Sequence, residues 1–137
     1  GALAGADLPN NAGEDSFNML PVLLGEQVDQ PVRTHLLTQT QKLELSIREG
    51  DWKYLDHKGS GGNNYNQPQL LPYIVEELAP DAPGQLYNLK HDPQETKNLY
   101  YHHPNIVKKM KAKLNHLVAS GRSAPLSIRS GTISEEH

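Results

Sequence analysis

The chain has 137 residues, with 13 basic and 16 acidic side chains and no cysteine. That is the length of one ordinary domain, and its 31 Leu, Ile, Val and Phe residues put it just above the ~20% below which chains fail to bury a core. The scattered charge excludes an extended basic face for nucleic acid. No apolar run approaches the ~20 residues of a membrane span, and the lack of cysteine excludes disulfides, thiolate zinc sites and cysteine nucleophiles.

Residues 1–31 read as a connector. The start Gly1-Ala2-Leu3-Ala4 has no initiator Met and no charged signal-peptide region, which is the expected look of a cut inside a longer protein. Ser16 is placed to cap a helical turn, Pro21 limits any helix to short pieces, and Gly25 suits its stop. The run Leu20, Val22, Leu23, Leu24 is apolar for its length and is expected to pack against something.

Residues 33–40, rich in Thr and Leu, read as a first strand. Leu43, Leu45 and Ile47 then alternate with Glu44, Ser46 and Arg48, a period of two with one face buried and one wet. Gly50-Asp51 suits a tight hairpin, and Trp52-Lys53-Tyr54-Leu55 resumes as a third strand. The segment 56–65, with Gly59, Gly61 and Gly62, reads as a long loop. Residues 70–75 read as an edge strand, since Pro72 confines them there. Residues 85–89 read as a strand returning to the same sheet.

Asp92-Pro93 is a helix-start pair that opens a brief turn. The clearest helix begins at Pro104 and stops at Gly121. Its apolar stripe is Ile106, Val107, Met110, Leu114, Leu117 and Val118, and Lys108, Lys109, Lys111 and Lys113 cover the wet side and its flanks. Trp52 is expected to be buried against this helix. Residues 122–137 read as a flexible tail.

The residues alone supply no catalytic centre. The seven histidines (His35, His57, His91, His102, His103, His116 and His137) form no HExxH or other ligand-spaced pair. There is no phosphate-binding GxxxxGK[ST] and no G-x-S-x-G elbow. The expected class is α+β, a small antiparallel sheet with a C-terminal helix packed across it, and no catalytic or metal-binding residues of its own.

Three segments, in order, resemble the C-terminal subdomain of the formylglycine-dependent sulfatases, within the alkaline-phosphatase-like superfamily. The first is Ala12-Gly13-Glu14-Asp15-Ser16-Phe17-Asn18-Met19-Leu20-Pro21-Val22-Leu23-Leu24-Gly25, similar to "D-G-x-S-x-L-P-x-L-x-G". The second is Ser46-Ile47-Arg48-Glu49-Gly50-Asp51-Trp52-Lys53-Tyr54-Leu55, similar to "A-I-R-x-G-x-W-K-L-I". The third is Leu86-Tyr87-Asn88-Leu89-Lys90-His91-Asp92-Pro93-Gln94-Glu95-Thr96-Lys97-Asn98-Leu99, similar to "L-Y-D-L-x-x-D-P-x-E-x-x-N-L".

The resemblance implies a four-stranded antiparallel sheet with one helix across it. It divides the chain into a connector from a catalytic domain (1–31), the subdomain (32–121) and a tail (122–137). The parent would be a sulfuric ester hydrolase, periplasmic or secreted, acting on a sulfated sugar or aryl sulfate with calcium and a formylglycine. The family's C/S-x-P-S/A-R nucleophile motif is not matched by Ser123-Ala124-Pro125-Leu126-Ser127, which lacks the Arg. This segment alone is therefore expected to be inactive and to have the parent's N-terminal catalytic domain as its partner.

Where the family often bears "H-H-S" at the mouth of the substrate pocket, this chain has Thr38-Gln39-Thr40, with His35 just before. The resemblance implies that these four hydrogen-bond the substrate. A plain strand, polar on its wet face, is the other reading of the same residues. A free-standing interaction or carbohydrate-binding module is the alternative for the whole chain.

Overall fold

A computed structural model describes residues 1–6, 8–9, 11–26, 29–59 and 68–125. The chain divides into two compact units, Gly1–Val32 with Gly121–His137, and Arg33–Ser120.

The second unit holds four strands, β1 (His35–Gln39), β2 (Leu45–Glu49), β3 (Trp52–Leu55) and β4 (Gln85–Asn88), followed by a long helix, Pro104–Ser120. Every neighbouring pair is antiparallel and the spatial order is β1-β2-β3-β4. The expected α+β class, a small antiparallel sheet with a C-terminal helix across it, is the observed one. Gly50 and Asp51 alone join β2 to β3, because Glu49 faces Trp52 across the ladder. Gly50 sits at φ +57°, a left-handed conformation that costs glycine nothing.

The register aligns Leu37, Ile47, Tyr54 and Leu86 in one row across the sheet. Ile47, Tyr54 and Leu86 are buried with Val107, Met110 and Leu114 of the helix, and Leu37 packs at their margin. These helix residues recur at three- and four-residue steps, the spacing that stacks side chains on one helix face. Val118, expected on this stripe, is exposed; it lies past the contacts that the sheet provides. Trp52 is only half-buried, with its ring edge-on to His103 at 5.0 Å. It stands at the end of β3, so it packs on the core's rim rather than inside it.

Three of the four helix lysines do more than face water. Lys113 and Lys109 reach Glu49 Oε1 at 3.1 and 3.6 Å, and Lys111 reaches Asp56 Oδ1 at 3.0 Å. Burial pushes the Glu49 carboxyl up, but the hydrogen bonds and charges of Lys113 and Lys109 outweigh that and hold it below its ordinary range. Lys108 is exposed.

The face of the sheet opposite the helix is not simply wet. Ser46, Leu55, Gln85 and Tyr87 alternate with the core row, yet all four are buried. The period-two reading of a wet second face fails here because the chain between β3 and β4 folds back: Ala79 and Ala82 are buried too. Residues Pro68–Tyr73 form a 3-10 helix, not the expected edge strand over 70–75. Pro72 lacks the N–H that a strand ladder needs. Most of the loop expected over 56–65 lies outside the described residues, as does the tail from residue 126.

Asp92 anchors the brief turn that its Asp-Pro pair predicts. Its carboxylate accepts the N–H of Thr96 (3.0 Å), the hydroxyl of Thr96 (2.9 Å) and the N–H of Lys97 (2.8 Å). Glu95, at φ +57°, breaks any helical continuation. Burial acts to raise the Asp92 carboxyl; the Thr96 and Lys97 donors outweigh it and lower it. A lowered native value means that its stabilisation is complete above the ordinary carboxylate range and is lost as pH falls through the native one. Asp92→Ala should therefore cost about 1–2 kcal/mol at neutral pH, the size of a lost side-chain cap. The deficit should vanish in acid, below the native value, as urea unfolding of both proteins from neutral to strongly acidic pH would show. A deficit that persists there would mean that the turn does not depend on the carboxylate's charge.

In the first unit, a single helical turn (Leu20–Leu23) has Pro21 in its first positions. The acceptor at its start is Asn18 Oδ1, which takes the Leu20 N–H at 3.1 Å, and not Ser16. Gly25, at φ +73°, donates its N–H to the Val22 carbonyl. Leu23 and Leu24 are 78% and 64% exposed. Asp15 accepts both the N–H and the hydroxyl of Ser123.

Candidate functional site

The four residues that the sequence singles out lie on or just after β1, at one edge of the sheet. The strand's alternation splits them. His35 and Gln39 share a face with Leu37, whereas Thr38 points to the opposite one. Their polar groups also make local bonds. The Thr38 and Ser46 hydroxyls bond each other across the ladder, and His35 Nδ1 lies 3.1 Å from Thr34 Oγ1. Thr40 Oγ1 accepts the N–H groups of Lys42 and Glu44 and donates to Glu44 Oε2, each at 3.2 Å. That hydroxyl closes the β1–β2 turn, in which Leu43 takes a left-handed φ of +65°. Gln39 is exposed.

A short polar chain continues from Thr40. Glu44 Oε2 also lies 3.8 Å from Nδ1 of the buried His57, whose same nitrogen is 3.2 Å from the Lys58 carbonyl. The sequence places His57 in a loop and gives no sign that it is enclosed.

The second candidate is a cleft of about 440 Å³ on the sheet face away from the helix, with Lys58, Glu77, Gln85, Tyr87, Glu95 and Asn98 among its lining. Glu77 is its hub. Its carboxylate accepts the Ala79 N–H (2.8 Å), the Gln85 amide and Asn98 Nδ2 (3.0 Å). Burial raises the Glu77 carboxyl, and these three donors together outweigh it and keep it below the usual range. Tyr87 is pushed well above the ordinary phenol value, first by burial and then by the charges of Glu77, Glu95 and Asp92. It is thus a neutral donor at any ordinary pH. Glu95 is held by Lys53 at 2.7 Å. Nothing in the sequence marks Glu77. Its partners lie 8 and 21 residues away along the chain, so no local spacing could have revealed the hub.

Chemically, both places offer hydrogen-bond donors and acceptors for a polar ligand. Neither joins a nucleophile to a base. Among the described residues no three His, Asp or Glu side chains come together as a metal site, and the chain has no cysteine. The calcium that the family resemblance implies therefore finds no fitting donor set among the described residues. No helix of the described residues is long and apolar enough to cross a membrane.

Comparison with known proteins bears on what this scaffold is part of. No family model matches the chain. Its sequence is 32% identical over 113 residues to an N-acetylgalactosamine-6-O-sulfatase of Bacteroides thetaiotaomicron, an alignment that covers 82% of this chain and 20% of that protein. A structure solved for the metabolism of multiple glycosaminoglycans by the same organism, a sulfatase, superposes with a TM-score of 0.63 at 28% identity. The match covers 86% of this chain and 23% of that one. The chain thus spans about a fifth of the length of the sulfatases it matches.

Proposed function

The chain being a sulfatase C-terminal subdomain by kinship, we propose that it completes the fold of a sulfuric ester hydrolase and forms one wall of its substrate cleft, with no catalytic centre of its own. The observation that carries this reading is the match of most of this chain to only a fifth of a sulfatase. A module working alone would have no reason to keep that likeness.

The catalytic domain of the parent is its partner. In the unit that would act as connector, Met19, Val22, Leu23 and Leu24 are exposed; that apolar run is suited to packing on such a domain. Calcium and formylglycine belong to the parent, which the family resemblance puts in the periplasm or outside the cell. Its substrate is a sulfated sugar, in keeping with the relative named for N-acetylgalactosamine 6-O-sulfate. Gln39, exposed on β1, supplies an amide to that substrate; His35, Thr38 and Thr40 hold the strand and turn around it.

Two measurements test this. Purified 1–137 should show no turnover of 4-nitrophenyl sulfate or N-acetylgalactosamine 6-sulfate, with or without calcium. Activity that survives repurification would overturn the reading. In the longer enzyme, Gln39→Ala should raise KM about tenfold with kcat little changed, the signature of lost uniform binding worth ~1.4 kcal/mol. An unchanged KM would remove the substrate contact.

A further inference from the structure

The two edges of the sheet are treated differently. At β4, Tyr54 bonds inward to Ile47 in the β2–β3 ladder, so residues 85 and 87 bond to β3 and Leu86 points its backbone outward. Those outward groups are taken: the Leu86 N–H donates to Asn98 Oδ1 at 3.1 Å, and the Leu99 N–H donates to the Leu86 carbonyl at 2.8 Å. The Asn88 carbonyl next along accepts the N–H groups of His91 and Asp92. That edge is closed by the chain's own residues.

The β1 edge is the opposite. The Thr40 N–H donates to the Glu44 carbonyl, so in this register Thr38 and Leu36 bond to β2, while Leu37 and Gln39 point N–H and C=O away from it. Among the described residues nothing accepts or donates to these four groups. The strand His35-Leu36-Leu37-Thr38-Gln39 carries no Lys, Arg, Asp, Glu or Pro. Charges, proline and bulges are what proteins use to blunt an edge. Leu36 is 40% exposed beside this open ladder.

We propose that the β1 edge is a strand-docking site, occupied by an extended segment of the rest of the sulfatase, which adds a fifth strand to the sheet. This rests on the sulfatase reading and names the contact through which the subdomain joins its partner. The occupant is argued from length: four-fifths of the related sulfatase lies outside the match. The edge also defines the segment's chemistry. On the helix side it presents an apolar residue beside Leu37, extending the row Leu37, Ile47, Tyr54, Leu86. On the other side it presents a small or polar residue beside Thr38. Backbone bonds to Leu37 and Gln39 supply the attachment, as in other β-augmentation contacts.

Amide hydrogen exchange at single-residue resolution tests this. In isolated 1–137, the Leu37 and Gln39 amides should exchange near the unprotected rate while Leu36 and Thr38, bonded to β2, are slow. In the longer sulfatase chain, Leu37 and Gln39 should slow on the order of a hundredfold or more, as amides inside a packed sheet do. Gln39→Pro removes one outward N–H and no ladder bond. It should leave the melting of 1–137 unchanged and return Leu37 to fast exchange in the longer chain. Fast Leu37 and Gln39 exchange in the longer chain would overturn the proposal. So would slow exchange in 1–137 that grows with its concentration, which would mean that the edge pairs with a second copy. An inactive longer chain with slow Leu37 and Gln39 would sink the sulfatase reading and leave the docked strand standing; an active one with fast amides would do the reverse.

Discussion

Asn98→Ala is expected to lower stability by about 2–6 kcal/mol, from two orphaned N–H groups at ~1–3 kcal/mol each. Asn98 is 5% exposed. Its Oδ1 accepts the Leu86 N–H and the Tyr100 N–H, both at 3.1 Å. Its Nδ2 donates to Glu77 Oε1 at 3.0 Å and to the Gly84 carbonyl at 3.4 Å. One side chain thus seals the β4 edge, fixes the turn toward the helix and supplies a donor to the cleft's central carboxylate. Alanine leaves the Leu86 N–H pointing at nothing in a place where water does not reach.

Asn98→Asp separates these roles. It keeps an acceptor for both N–H groups but sets a second carboxylate against Glu77, in place of a donor. The variant should be destabilised at neutral pH and recover as pH falls toward 4, where a shared proton can restore one bond. Denaturant midpoints of the three proteins across that range measure it. Equal losses for the two substitutions at every pH would show that Asn98 matters for its volume and not for its bonds.

The sheet and helix were legible because each writes its own period into the chain. Leu45 and Ile47 against Ser46 and Arg48 mark β2, and Gly50-Asp51 marks its hairpin by the demand for a positive φ; Leu43, expected on the buried side of the same alternation, lies in the β1–β2 turn and is 72% exposed. The stripe through Val107, Met110 and Leu114 marks the helix. Residues 85–89 placed the fourth strand, and the family resemblance pointed to the chain's parent.

The misses have a common cause: partners remote in sequence. Leu55, Gln85 and Tyr87 are covered by the excursion between β3 and β4, whose path no periodicity encodes. His57, too, is buried although the sequence places it in a loop. The four β1 residues were legible as a polar strand beside a hairpin. Their split between two faces was implicit in the period of two, and their mutual bonds with Ser46 and Glu44 follow only once the register is known. The hub at Glu77 carries no local mark at all.

Leu114→Asp is the largest expected effect of any single substitution. Leu114 is 2% exposed and sits in one cluster with Val107, Met110, Ile47, Tyr54 and Leu86. Losing the apolar side chain alone costs about 2–5 kcal/mol, by analogy with Leu-to-Ala truncations in cores. The carboxylate adds the cost of a buried charge without a partner, or of protonating it. A domain with ~5–15 kcal/mol of total stability does not survive both, so the far-UV signal of the helix should be lost at 25 °C and neutral pH. Leu114→Ala, which makes only the cavity, should stay folded with a lowered midpoint. Lys108→Asp is the control on the exposed side: it touches none of the ion pairs with Glu49 or Asp56 and should shift stability by less than about 0.5 kcal/mol. Circular dichroism melts of the four proteins decide the matter. If Lys108→Asp and Leu114→Asp were equally damaging, the helix would have to present a different face to the sheet than the one Ile47, Tyr54 and Leu86 receive.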